Sequence, residues 1–339
     1  ISMSNVSCVP LSYIFLRGQG IKIFSLVAKF CRQLKYIIPV KRKPKPECPG
    51  HVHGDNKRVK RYGETWVKCT KCNKELCCKK CKLADKHHCE KLNEGYEGAT
   101  VFPPDVGFYK RPVAVNDYAS LYPSSMIHKN LSHETFVDDP KYDNLPDYIY
   151  WDAEYKNNDG TTTKCRYAQK KDKSMGIMPQ ILDKLLKERK QTKKLMKMES
   201  DPFKKSILDG HQLALKVTAN SLYGQIGSSV SPIYMKAIAA STTSTGREML
   251  EYAKEYMENI FPPIIMGIYE GIVKKDDKKI KDILDKEIVP ELYNEKFVDY
   301  LKKAIFRMIS KCSIEPKTVY GDTDSVFIDY QFRLPDNTF

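Results

Sequence analysis

Two carboxylates one residue apart, Asp322 and Asp324, lie in the short apolar run Val319-Tyr320-Gly321-Asp322-Thr323-Asp324-Ser325-Val326-Phe327. Side chains at i and i+2 of a strand share a face. The pair is therefore expected to project together from the tip of a hairpin, with Gly321 at the turn. Carboxylates held this close repel each other unless a cation neutralises them. A hard divalent ion such as Mg²⁺ takes oxygen ligands of this kind and bridges to phosphates. A bare Asp-Thr-Asp fits two solvated acids in a turn about as well, so the other reactive residues must decide.

A third acid, Asp117, closes the run Pro112-Val113-Ala114-Val115-Asn116-Asp117-Tyr118, which reads as a buried strand. Ser120, Leu121 and Tyr122 follow directly, placing backbone amides and an aromatic ring beside it. An acid at a strand end is ordinarily a cap or turn former. Two helical patterns change that balance. The first, over 179–198, sets Arg189 and Lys193 four residues apart on one face. The second, over 203–222, does the same for Lys216, Asn220 and Tyr223. Lys, Asn and Tyr on one face make poor core but good phosphate and base recognition. A solvated basic face suits Lys190 and Lys197 better than it suits Lys216–Gly224, which is otherwise small and apolar.

A separate cluster has metal-ligand spacing. Seven of the eleven cysteines (Cys48, Cys69, Cys72, Cys77, Cys78, Cys81 and Cys89) crowd together with His51, His53, His87 and His88. Cys48-x2-His51, Cys69-x2-Cys72 and Cys78-x2-Cys81, followed by His87 and Cys89, supply enough ligands for two tetrahedral Zn²⁺ sites. Mixed Cys and His at this spacing suit a reducing compartment better than a disulfide framework. The bland alternative is a basic loop whose cysteines are incidental.

The elements that must position these groups follow from periodicity. Residues 21–38 read as an amphipathic helix with Ile23, Val27, Phe30, Leu34 and Ile37 on one stripe. Pro39, Pro44, Pro46 and Pro49 mark an exit into a linker. Residues 134–163, polar and turn-rich, are expected to form a surface excursion. Asp201-Pro202 between the two basic helices is a tight-turn signal, giving an antiparallel helical hairpin. Further helices are expected over 237–256 and 291–311, and Lys274–Lys286 as a solvated helix or loop with Asp276 and Asp277 on the surface.

Length and charge bound the function. The 339 residues carry 41% hydrophobic residues, enough for about two domains with a sizeable core. The net charge of +15 points to a polyanionic partner, nucleic acid before membrane. From Lys41 to Lys91, 16 Lys and Arg face 6 Asp and Glu, so this segment holds most of the excess. No apolar run approaches the roughly 18 residues of a membrane span. The N-terminus lacks a signal-peptide layout, since Arg17 and Lys22 interrupt its apolar stretch. The chain starts on Ile1 and reads as an internal piece of a longer protein.

DYASLYPS at 117–124, KVTANSLYG at 216–224 and VYGDTDS at 319–325, in that order, resemble motifs A, B and C of family B DNA polymerases. Val9-Pro10-Leu11-Ser12 through Arg17-Gly18-Gln19 is similar to the family's segment ahead of the palm. Tyr96-Glu97-Gly98-Ala99 resembles its YxGG element, which handles template strand, with Ala99 replacing the second glycine. The wording looks closest to the delta-like polymerases of nucleocytoplasmic large DNA viruses.

The resemblance implies an α+β fold: a palm of antiparallel sheet with packed helices, helical-hairpin fingers and a Cys/His-rich insertion. Its expected divisions are a lead-in (1–40), the basic insertion (41–94), a first palm segment with motif A (95–170), fingers with motif B (171–230) and a second palm segment with motif C (231–339). It implies that Asp117 and Asp324 hold two Mg²⁺ ions about 3.5–4 Å apart, with Asp322 assisting. Ser120 and Leu121 would cradle the triphosphate, and Tyr122 would exclude a 2′-hydroxyl. Arg189, Lys193, Lys216 and Asn220 would clamp phosphates, Lys216 would donate a proton to pyrophosphate, and Tyr223 would pack by the nascent base pair. The implied partners are primer-template DNA, dNTP and, through regions beyond this chain, a sliding clamp. The implied setting is intracellular, in the host nucleus or a cytoplasmic virus factory. Exonuclease acids and a thumb are not found, so this piece alone is expected to be inactive. The rival from another class is a zinc-dependent nucleic-acid-binding module without catalysis.

Overall fold

The structure is a computed structural model that describes residues 1–38, 95–158, 160–287, 295–310 and 312–333, with the backbone of three short strands between 56 and 77. Helices α1 (Ser2–Ser7), α2 (Leu11–Leu16) and α3 (Gln19–Leu34) open the chain. Strands β1 (Asn56–Arg61), β2 (Glu64–Cys69) and β3 (Glu75–Cys77) form an antiparallel sheet of their own. Then come β4 (Val101–Phe102), β5 (Val113–Asp117), α4 (Leu121–His128), β6 (Phe136–Val137), β7 (Tyr148–Lys156) and β8 (Thr162–Lys170). The helices α5 (Ile177–Met198), α6 (Pro202–Gly227) and α7 (Lys236–Glu255) follow, the last running through a π-helical turn into α8 (Phe261–Lys274). The chain continues through α9 (Asp277–Glu287), α10 (Glu295–Ile309), β9 (Ser313–Ile314), β10 (Lys317–Asp322), β11 (Ser325–Asp329) and β12 (Phe332–Arg333).

A four-stranded antiparallel sheet in the order β4-β10-β11-β5 brings distant segments together. The buried Val326 and Ile328 of β11 pack beneath it with Leu250 of α7. At the far end of β11 the buried Asp329 is paired with Arg111 at 2.8 Å, fixing the strand's base.

The α5–α6 hairpin forms as its turn chemistry dictates. Pro202 stands at an early helical position, and the Asp201 carboxylate accepts from the amides of Phe203 (2.9 Å) and Lys204 (3.4 Å). The inner face of α6 buries Leu215, Ala219, Leu222 and Ile226 against Ile181, Leu182 and Leu185 of α5. That burial turns Lys216 and Asn220 outward to solvent.

Helix α7 is buried over Ile238–Gly246 although Ser241–Thr245 are all hydroxyl residues. Their hydroxyls find partners: Thr242, Thr243 and Thr245 donate to carbonyls one turn back, and Ser244 to the Glu154 carbonyl of β7. Small, satisfied side chains let α4, α6, β7 and β11 approach this helix closely.

Three expectations require correction. Residues 134–163 are a surface excursion only in part, with 138–150 exposed or partly exposed. They enter the β6-β8-β7 sheet, which puts Ala153, Tyr155, Cys165 and Tyr167 into the core. Helix α3 ends at Leu34 on a left-handed Lys35, leaving Ile37 exposed, and its buried face is Ile23, Leu26, Val27 and Cys31. Helix α9 is not wholly solvated, because Ile280 and Leu284 are buried. The expected surface placement of Asp277 agrees with its ion pair to Lys302, 84% of the aspartate side chain being exposed. Of the expected zinc ligands, Cys48, His51, Cys72, Cys78, Cys81, His87 and Cys89 lie outside the described residues. Of Cys69 only the backbone at the end of β2 is described.

Candidate active site

One strand junction places the acids. Ser325 pairs with Asp117 of β5 on one side and with Asp322 of β10 on the other. Thr323 and Asp324 make the two-residue turn, with Thr323 at a positive φ of 53°, as tight hairpin turns require. The Tyr118 amide donates to the Asp324 carbonyl at 2.8 Å, fastening the residue after Asp117 to that turn. Asp117 and Asp324 thus meet at one sheet edge although some two hundred residues separate them.

Asp322 and Asp324 stand at the tip of the β10–β11 hairpin as expected, but they do not alternate along one strand. Asp322 ends β10 and Asp324 stands in the turn. The exposed Asp322 carboxylate accepts from the Thr323 hydroxyl at 2.8 Å and the Tyr320 hydroxyl at 3.4 Å. Gly321 is not in the turn either. It lies in β10 opposite Phe102, where an added Cβ would stand 2.6 Å from the phenyl ring and 3.2 Å from the Ser325 carbonyl. The glycine is needed for close approach rather than for backbone freedom.

Electrostatics single out Asp324. Burial, then the charge of Asp117 and, more weakly, that of Asp322 hold its carboxyl above the usual carboxylate range, while the Lys216 ammonium draws it back down. That strain is what a bound cation relieves. The donors are oxygen-only, as Mg²⁺ prefers. Among the described residues no three His, Cys, Asp or Glu side chains converge on one point.

Beside the acids, Ser120 caps α4 in the left-handed region at φ 59°. This turns the chain so that Leu121 and Tyr122 carry the helix's first amides, which have no acceptor within the helix. A helix start of this kind suits phosphate oxygens. The Tyr122 ring lies 4.6 Å from that of Tyr223, centroid to centroid, joining α4 to α6. Burial, Tyr223 and Asp324 push the Tyr122 phenol up to about 12, against the opposing charge of Arg247. Lys216, Tyr122 and Tyr223 therefore share surroundings with the acids. Arg189 and Lys193 stand on α5; the Arg189 Nε donates to Gln212 of α6 at 3.3 Å rather than to the acids. Asn220 is exposed on α6.

Sequence reasoning missed three features. Tyr96 is hydrogen-bonded to Tyr223, and burial raises its phenol well above the ordinary value. Arg247 of α7 donates to the Glu97 and Gly98 carbonyls at 2.8 and 2.7 Å, clamping that loop against the helix. Gly246 backs the Tyr122 ring. The only sequence signal for the last two was a Gly-Arg pair interrupting a long helical pattern.

The family model described as DNA polymerase family B matches residues 9–338, and the chain belongs to that family. It is 38% identical over 361 residues to a DNA polymerase of Pyramimonas orientalis virus, covering 90% of this chain and 26% of that protein. To a DNA polymerase of Phaeocystis pouchetii virus it is 32% identical, covering 99% and 28%. To the DNA polymerase delta catalytic subunit of Caenorhabditis elegans it is 30% identical, covering 97% and 22%. The chain thus spans about a quarter of the length of the curated relatives it matches. Among solved structures it is similar to a family B DNA polymerase from Pyrobaculum calidifontis, with a TM-score of 0.46 and 19% identity, covering 97% of this chain and 28% of that one.

Proposed function

We propose that this chain forms the nucleotidyl-transfer centre of a DNA-directed DNA polymerase of the delta-like type carried by large DNA viruses. It would act within a polypeptide of the relatives' length, with primer-template DNA and dNTP as substrates. The observation that carries the reading is the meeting of Asp117 and Asp324 at one sheet edge, within electrostatic reach of Lys216. A carboxyl whose proton affinity is raised by burial and a neighbouring acid, as that of Asp324 is, marks a candidate functional site.

On this reading the four-stranded sheet with α7 is the palm and the α5–α6 hairpin the fingers. Asp117 and Asp324 would hold Mg²⁺, which when bound activates a primer hydroxyl and neutralises charge on the leaving pyrophosphate. The Leu121 and Tyr122 amides hold phosphate oxygens, and Arg189, Lys193 and Asn220 bind them from the hairpin. Lys216 holds a proton for the departing pyrophosphate. The Tyr122 ring meets the sugar and Tyr223 the base. No covalent intermediate is needed, so positioning and charge stabilisation carry the rate.

The full-length polypeptide, given Mg²⁺ and one dNTP at a time, is expected to extend a primer only with the nucleotide complementary to the template base. Extension that ignores the template, or DNA binding without any extension, would refute the proposal. The second outcome is what a zinc-dependent binding module predicts.

A further inference from the structure

The geometry points to Gly246 as a specificity-determining residue of the sugar pocket, one that sets how far the Tyr122 ring stands toward the incoming nucleotide. This rests on the reading of Tyr122 as the residue that meets the sugar, and extends it to the opposite side of the ring.

A Cβ built on Gly246 would stand 2.8 Å from Tyr122 Cε1, 3.4 Å from Cδ1 and 3.5 Å from Leu121 Cδ2. The ring therefore rests against bare helix backbone. Its other neighbour is Tyr223, at 4.6 Å between centroids and tilted by 39°. The phenol is thus held between α7 and α6, with the acids' turn close enough for Asp322 and Asp324 to act on it electrostatically.

Three features keep α7 from yielding to a larger residue at 246. Ser241–Thr245 are buried; Thr242, Thr243 and Thr245 donate to carbonyls of α7 itself, Ser244 to one of β7, and Ser241 accepts from the Tyr167 hydroxyl. Arg247 is tied to two carbonyls of the Glu97–Gly98 loop and to the Glu97 carboxylate at 3.4 Å. The Tyr118 hydroxyl donates to the Met249 carbonyl at 2.9 Å, holding the next turn of α7 to the strand that bears Asp117. A contact under 3 Å must be relieved, and with α7 anchored at these points the shift falls on the tyrosine ring. Any such movement changes the room beside the sugar.

Gly246 is positioned to act through Tyr122 and touches no substrate, so the test is a coupling measurement. In the full-length polypeptide, kcat and KM are measured for a dNTP and the matched rNTP in four proteins: unsubstituted, Gly246→Ala, Tyr122→Val, and the double variant. Gly246→Ala is expected to change the dNTP-to-rNTP preference by about tenfold, mostly through KM. In the Tyr122→Val background, where a valine leaves room for the methyl group, the same alanine is expected to change it by no more than about twofold.

An equal effect of the alanine in both backgrounds would overturn the inference, because it would mark a packing role independent of the ring. If Tyr122→Val relaxes ribonucleotide exclusion and Gly246→Ala does nothing, the inference about Gly246 fails alone. If Tyr122→Val leaves ribonucleotides excluded, the sugar-contact reading itself fails and takes the inference with it. Should Gly246→Ala prove insoluble, a soluble double variant with the kinetics of Tyr122→Val supports the proposal, and an insoluble double variant defeats it.

Discussion

Replacing Asp324 by alanine is expected to lower Mg²⁺-dependent primer extension by at least about a thousandfold while leaving primer-template binding nearly intact. The carboxylate stands in the two-residue turn beside Asp117 and is not in the core, so its loss removes chemistry rather than structure. The isosteric Asp324→Asn separates the two contributions. Burial and the charge of Asp117 raise the carboxyl's affinity for a proton in the folded state. A raised acid contributes stability that is present below the ordinary carboxylate range and is lost as pH rises through the raised value. Metal-free Asp324→Asn is therefore expected to unfold at a higher temperature than the unsubstituted protein at neutral pH. The gap should close as pH falls toward the ordinary carboxylate range. Thermal unfolding in a chelator checks this, and an asparagine variant less stable at neutral pH would contradict the electrostatic account.

Lys216→Ala is expected to reduce kcat/KM for dNTP by about a hundredfold to ten-thousandfold, the range for loss of a positioned proton donor. Helix α6 fixes this lysine from behind: Leu215, Ala219 and Leu222 are buried, so the neighbouring face carrying Lys216 and Asn220 must be presented outward. Its charge reaches Asp324. Lys216→Arg keeps the charge but gives a much poorer proton donor. It should restore KM toward the unsubstituted value while kcat stays low. The exposed Lys190 and Lys197 of α5 serve as the comparison, since alanine at either should change kcat/KM by no more than about threefold. Single-nucleotide insertion kinetics decide between these outcomes. A full recovery of kcat by arginine would reassign Lys216 from proton donor to phosphate clamp.

Much of this site was legible in the sequence, because many of its residues announce themselves locally. Lys216, Asn220 and Tyr223 recur at helical spacing, and Asp201-Pro202 fixes the turn that makes α5 and α6 antiparallel. What stayed hidden depended on contacts between distant segments. The strands β7 and β8 read as turn-rich because acids and polar residues occupy their outer face. The alternate positions Ala153 and Tyr155, and Cys165 and Tyr167, are the ones that reach the core. The spacing of Asp322 and Asp324 permits one strand face. The pairing of Asp322 with Ser325 instead puts only two residues between the strands and moves Asp324 into the turn. The Gly-Arg pair at 246–247 interrupts a helical pattern, but a mid-helix glycine acquires meaning only when Tyr122, more than a hundred residues away, packs on it.

The central claim is that Asp117 and Asp324 act as one metal-holding pair. Its most direct test is the stoichiometry of Mn²⁺, used in place of Mg²⁺, in the full-length polypeptide bound to a chain-terminated primer-template and the next correct dNTP, counted by electron paramagnetic resonance. Two tightly held ions are expected in the unsubstituted complex, and Asp117→Ala and Asp324→Ala should each lose tight Mn²⁺ binding. Unchanged Mn²⁺ binding in either variant would contradict the account.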